Sequence, residues 1–161
     1  ASAMDQRLSG NWESRCYNNL LPSDRPDWDV KGLYIKTTYE IQTTGSTKIT
    51  QSYYSGKTCD ESTLVERDYE NVTLWTAGVY LMRKQDSLSY ILLKRTSSAV
   101  LFSQAKYCGI QQWAVDQEFS CKNDDAGKVF WYFFDFKKGP LHIWSVCGDY
   151  QVCSEINLNK I

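Results

Sequence analysis

The sequence predicts an all-β protein, an antiparallel barrel of about eight strands stapled by disulfides. Three observations carry this expectation. Aromatic residues make up 14% of the chain, and chains rich in aromatic and β-branched residues favour sheets. Short apolar stretches recur at even spacing between polar or glycine turns, as in a sandwich or closed barrel. Six cysteines, at 16, 59, 108, 121, 147 and 153, point to folding outside the reducing cytosol.

The 161 residues fit one domain, 1–161, long enough to bury a core of its own. Residues 1–8 read as a flexible or processed end, and a removed export signal or lipid anchor ahead of Ala1 fits the same reading. The expected location is secreted, periplasmic or at the cell surface. With 18 basic against 19 acidic residues, the chain carries no electrostatic footprint for nucleic acid. The longest apolar run, Val129 to Phe134, is too short to span a bilayer.

The elements follow in order. Gly10-Asn11-Trp12 opens the first strand, and Pro22 and Pro26 make 22–27 a loop, since proline interrupts a central strand. Leu33, Ile35, Thr37, Tyr39 and Ile41 then alternate with polar residues, the period-2 pattern of a half-solvated strand. Thr43 to Ser46 turns the chain, and Thr47 to Ser55 returns as its partner. Further strands are expected at about 64–69, 72–76, 79–83, 89–94 and 99–104. The stretch between Cys108 and Cys121 reads as a loop or short helix. Lys128 to Lys137 is the strongest late strand, with apolar residues on both faces. Lys138-Gly139-Pro140 turns it into Leu141 to Val146, and a last strand covers about 150–156.

Six half-cystines allow 15 connectivities. The preferred set pairs Cys16 with Cys59 across strand ends that a meander brings close, and joins the neighbours Cys108–Cys121 and Cys147–Cys153. Gaps of 42, 48, 12, 25 and 5 residues do not match the close pairs of zinc sites, so no metal is expected.

These landmarks resemble a known family. Gly10-x-Trp12-x-Ser14 leads to Cys16, Tyr53-Tyr54-Ser55 leads to Cys59, and Cys108-Gly109 precedes Trp113 and Cys121. The pattern is similar to the lipocalin-like domain of the adenomatosis polyposis coli down-regulated family of extracellular Wnt inhibitors, and to related bacterial exported lipoproteins. The resemblance implies a calycin-type, half-open barrel that captures a hydrophobic or acyl ligand. Lipocalins proper stack an arginine near the chain end on the first-strand tryptophan. No arginine follows Arg95 here, which leaves Lys137 or Lys138 to cover Trp12.

Chemistry points to binding rather than catalysis. His142 is the single histidine, and no Gly-x-Ser-x-Gly elbow presents a nucleophile. Disulfides remove the thiols, and Asp116, Glu118, Asp124 and Asp125 read as solvated loop acids. Asp124 to Gly127 fits a turn rather than a calcium loop. No cofactor is expected. Asn71-Val72-Thr73 is a glycosylation sequon.

Trp12 reads as a plug at the closed barrel end. The expected ligand contacts are Leu33, Ile35, Tyr39, Tyr53, Trp131 and Phe133, with tyrosines on successive strands adding polar tips. The second apolar face of 129–136 needs a covering segment, a partner or a lipid surface. The expected function is therefore capture of a small hydrophobic ligand or lipid. The alternative is an interaction or inhibitor module with a filled barrel and a protein partner at the cell surface.

Overall fold

A computed structural model describes residues 3–19, 33–94, 96–121, 125–137, 139–149 and 151–161. Among these residues ten strands form one antiparallel sheet: β1 (Gly10–Glu13), β2 (Tyr17–Asn19), β3 (Leu33–Ile41), β4 (Ser46–Tyr54), β5 (Leu64–Ala77), β6 (Tyr80–Leu92), β7 (Glu118–Cys121), β8 (Val129–Asp135), β9 (Leu141–Cys147) and β10 (Gln151–Lys160). The order β10-β9-β8-β6-β5-β4-β3 is a meander, and β1 pairs with both β10 and β3. That double pairing closes an eight-stranded barrel. β2 extends the wall beside β3, and β7 does the same beside β6.

The β3–β4 hairpin forms as its alternation predicts, with Leu33, Ile35, Thr37, Tyr39 and Ile41 all buried. Two pairs of expected strands are each one long strand. β5 runs unbroken through 70–71, and β6 through Lys84 to Leu88, because a bulge opposite Asn71 and Val72 absorbs an extra residue of β6. Such bulges bend a strand and keep its faces in phase. The inward rows are Glu66, Asp68, Glu70, Val72 and Leu74 on β5, against Leu92, Tyr90, Leu88, Gln85 and Arg83 on β6.

Residues 99–104, expected as a strand, belong instead to the helix α1 (Thr96–Ala105). Ala99 and Phe102, three apart on one helical face, are buried while Val100 is exposed. Ser103 donates to the carbonyl of Ala99, a bond that only a helix makes available. α1 packs with Trp113 on Leu92 and Tyr90 of β6. The 108–121 stretch holds a short 3-10 turn at Tyr107–Gly109 and ends in β7. The expected loop at 22–27 lies outside the described residues.

One end of the barrel is plugged. Residues 3–8, expected to be flexible, fold across it: Thr76 N–H donates to Ala3, and Asp5 N–H to Thr76 Oγ1. Leu8 is fully buried, and with Met4, Trp12, Ile41, Leu74, Phe134, Leu141 and Leu158 it fills the core. Trp12 plugs this end as expected, its indole N–H donating to Leu8 at 2.8 Å. The cation over its ring is Lys160, at 5.5 Å. Lys137 does not take that place, and Lys138 lies outside the described residues. The substitute comes from β10 because Lys160 is the register partner of Trp12. Gly10, at φ +124°, opens the strand where a side chain would press on the Lys160 stem. Its neighbour in role is Gly45, at φ +92°, whose absent Cβ leaves room for the Leu74 carbonyl.

Three disulfides form: Cys16–Cys59, Cys108–Cys121 and Cys147–Cys153, with Cα separations of 5.9, 5.0 and 5.6 Å. This is the preferred pairing. Among the described residues no helix is long and apolar enough to cross a membrane.

Candidate ligand cavity

The interior changes character along its axis. Toward the plugged end the inward rows carry Val72, Leu74 and Leu81, with Arg83 and Gln85 opposite Leu74 and Val72; further along, β5 turns acidic (Glu70, Asp68, Glu66) while β6 stays apolar (Leu88, Tyr90, Leu92). Where the two zones meet, the barrel is not filled. A cavity of about 210 Å³ is lined by Tyr39, Leu74, Leu81, Arg83, Tyr132, Ile143, Ser154, Glu155 and Ile156. Its apolar wall is continuous with the core. Arg83, Ser154 and Glu155 supply the polar side, with Tyr39 and Tyr132 beside them.

Of the six residues expected to contact a ligand, Tyr39 alone lines this cavity. Leu33, Ile35 and Tyr53 do face inward, but they pack with one another and Val65. They fill the barrel further along. The Tyr53 hydroxyl lies 2.8 Å from Asp68 Oδ2 and 2.8 Å from Gln51 Oε1, so its polar tip is already engaged.

Trp131 and Phe133 are a correction. They lie on the outer surface, because β8 pairs Arg83 with Phe130 and Leu81 with Tyr132. Arg83 and Leu81 face inward, so Phe130, Tyr132 and Phe134 do too. With both faces of β8 apolar, composition could not set the register, and a shift of one residue exchanges the faces. Trp131 is 51% exposed. It meets Tyr80 at 5.3 Å and Phe133 at 5.6 Å, and Phe133 stacks on Trp144. His142 stacks on Trp144 in turn, and its Nε2 lies 2.7 Å from Glu155. The result is an outer ladder of rings across β6, β8 and β9.

Leu74, Leu81, Tyr132, Ile143 and Ile156 were missed as cavity residues. Alternation places them on inward rows once β5 and β6 are read as continuous, so the signal was present. Arg83 carries no such signal, since a lone arginine in a strand reads as solvent-facing. Its side chain pairs with Glu70 instead.

Burial pushes the Tyr39 phenol above its ordinary range, with Arg83 partly opposing it and Tyr132 adding to it. A phenol whose folded pKa is raised contributes stability below the unfolded pKa of about 10, and loses it as pH climbs through the folded value. Stability is therefore expected to fall from about pH 10 upward. Tyr54 is raised as well, again chiefly by burial, so both phenols contribute. Urea titrations across this range check the prediction: Tyr39→Phe should flatten the alkaline slope, and an unchanged slope would place the effect elsewhere.

A groove runs along the seam between β2 and β10. It is lined by Ser14, Arg15, Cys16, Tyr17, Glu155, Ile156 and Asn157. β10 pairs with β1 only through Trp12–Lys160 and Glu13–Asn159, which leaves its remaining length without a partner on that side among the described residues. Glu155 and Ile156 belong to both the groove and the cavity. Among the described residues no cluster of His, Cys, Asp or Glu is placed to hold a metal.

No protein-family model matches the sequence, and no curated protein matches it. The class is defined by the geometry: a disulfide-stapled, eight-stranded antiparallel barrel with one plugged end.

Proposed function

We propose that this barrel is an extracytoplasmic binding protein for a small hydrophobic or acyl ligand. The observation that carries the reading is the partly open cavity of about 210 Å³ walled by the inward side chains Leu74, Leu81, Ile143 and Ile156. Binding pockets for drug-sized ligands run to about 300–1,000 Å³. The smaller volume suits a short acyl chain or a compact ring. Leu74, Leu81, Ile143 and Ile156 receive the apolar part. The seam groove, which shares Ile156, is the side entrance. Three disulfides suit a secreted, periplasmic or surface protein, and a removed leader or lipid anchor belongs to the same reading.

Leu81→Trp fills the cavity and is expected to abolish binding of 1-hexanol, followed by NMR titration, while the fold persists. Ile143→Phe does the same from another wall. Trp131→Ala, on the outer surface, should leave the affinity unchanged. Hexanol binding that survives both filled variants would refute the cavity as the site.

The outer ring ladder supports a second reading, a docking face for a protein partner. Exposed aromatics of this kind supply large contact area at low entropic cost. Loss of partner capture in Trp131→Ala, with hexanol binding intact, would favour it.

A further inference from the structure

We infer that the seam between β2 and β10 is a strand-addition site, which takes an extended peptide along the free edge of β10. The inference does not depend on the cavity holding a ligand. One edge of β10 pairs with β9 along 151–158, and the other meets β1 only at Lys160 and Asn159. Over 151–158 that second edge has no strand partner among the described residues. Alternate residues of an antiparallel strand turn both N–H and C=O to the same side, so the edge offers a row of donors and acceptors. A bulge between Val152 and Ser154 interrupts it, which leaves 154–158 as the regular stretch. Proteins commonly blunt such edges with proline or lysine. Residues 154–158 include neither, and their one charge is Glu155.

The groove beside this edge fits one chain. Its volume is about 290 Å³, and it lies between residues 155–157 on one side and 14–17 on the other. The second lip is pinned to the barrel wall. Ser14 N–H donates to the Thr37 carbonyl, Thr37 N–H donates to Ser14 Oγ, and Cys16 is bonded to Cys59. A slot with two walls admits a single extended segment. The edge of a second barrel carries its own lip, which would collide with this one.

In strand addition the main chain supplies affinity and alternate side chains supply specificity. Ile156 pairs with the inward Ile143 and lines the groove, so the guest residue opposite it faces inward onto an apolar surface. Guest residues opposite Glu155 and Asn157 face outward. Continuing the β1–β10 register, Trp12 with Lys160 and Glu13 with Asn159, brings Arg15 level with Asn157. Arg15 is exposed, with no ion pair among the described residues. The preferred guest, aligned antiparallel to β10, is therefore acidic opposite Asn157, then apolar opposite Ile156, then basic opposite Glu155.

The test titrates the peptide acetyl-Thr-Glu-Val-Lys-Thr-amide into the isotope-labelled protein, followed by NMR. Shifts are expected at 14–17 and 154–158, and alternate amides of 154–158 that exchange fast in the free protein should become protected. Two N-methylated peptides, one blocked at Val and one at Glu and Lys, separate the two edges of the guest. Only one set of amides faces β10, so one peptide should lose about tenfold or more in affinity and the other keep most of it. Exchanging Glu and Lys in the peptide should weaken binding about threefold, the scale of an exposed ion pair, and Arg15→Glu should reverse that order. The cavity-filling Leu81→Trp should leave peptide binding unchanged. An order that Arg15→Glu leaves unmoved would overturn the charge pattern. Amides of 154–158 already protected in the free protein, no peptide binding, equal binding of both methylated peptides, or loss of binding in folded Leu81→Trp would overturn the strand-addition site.

Discussion

Replacing Trp12 with alanine is expected to cost about 3–5 kcal/mol, the range for truncating a large buried aromatic. The residue acts at three levels. It is 4% exposed, so its removal leaves a void at the plugged end. Its indole N–H satisfies the Leu8 carbonyl, which holds the 3–8 segment across the barrel. It also sits on β1, the strand that closes the sheet between Tyr39 of β3 and Lys160 of β10. Urea unfolding should show the full loss, and amide exchange should show residues 3–8 and β10 opening together. A loss below about 1 kcal/mol, the scale of a surface change, would show that the plug is not a keystone.

Removing the Cys16–Cys59 bridge is expected to cost about 4 kcal/mol by loop-closure entropy, because it spans 43 residues. The Cys147–Cys153 bridge spans 6 and should cost about 2 kcal/mol on the same scale. The long bridge also ties the chain beside the seam, where Cys16 lines the groove, to the segment after β4. Its loss should therefore loosen the seam as well as the global fold. Equal midpoint shifts for Cys16→Ala/Cys59→Ala and Cys147→Ala/Cys153→Ala would contradict this account.

What could be read in advance followed the strength of the local signal. The β3–β4 hairpin was legible because one face is polar and the other apolar, which sets both strand and register. The disulfide pairing was legible because a meander brings neighbouring cysteines together. Residues 99–104 were not: Ala-Val-Leu-Phe suits a strand as well as a helix, and the deciding contact is Phe102 with Trp113 at 5.1 Å, a non-local fact. Trp131 and Phe133 misled for a related reason. On a strand apolar on both sides, the inward row is set by the neighbour, here Leu81 and Arg83 of β6. The aromatic excess was real, and the structure divides it between a packed interior and an exposed ladder.

Arg83 of the cavity wall, and the pair behind it, were hidden more deeply. Glu70, Arg83 and Gln85 each look like outward residues of an amphipathic strand, and only their mutual pairing makes burial tolerable. Such networks can be recognised once the cross-strand register is known.

The most direct test of the central claim is to locate 1-hexanol on the protein by intermolecular NOEs to assigned methyl groups. The cavity reading predicts NOEs from the alkyl protons to Leu74, Leu81, Ile143 and Ile156. NOEs confined to the rings of Tyr80, Trp131 and Trp144, or none at saturating alcohol, would contradict it and make the outer ladder the functional surface.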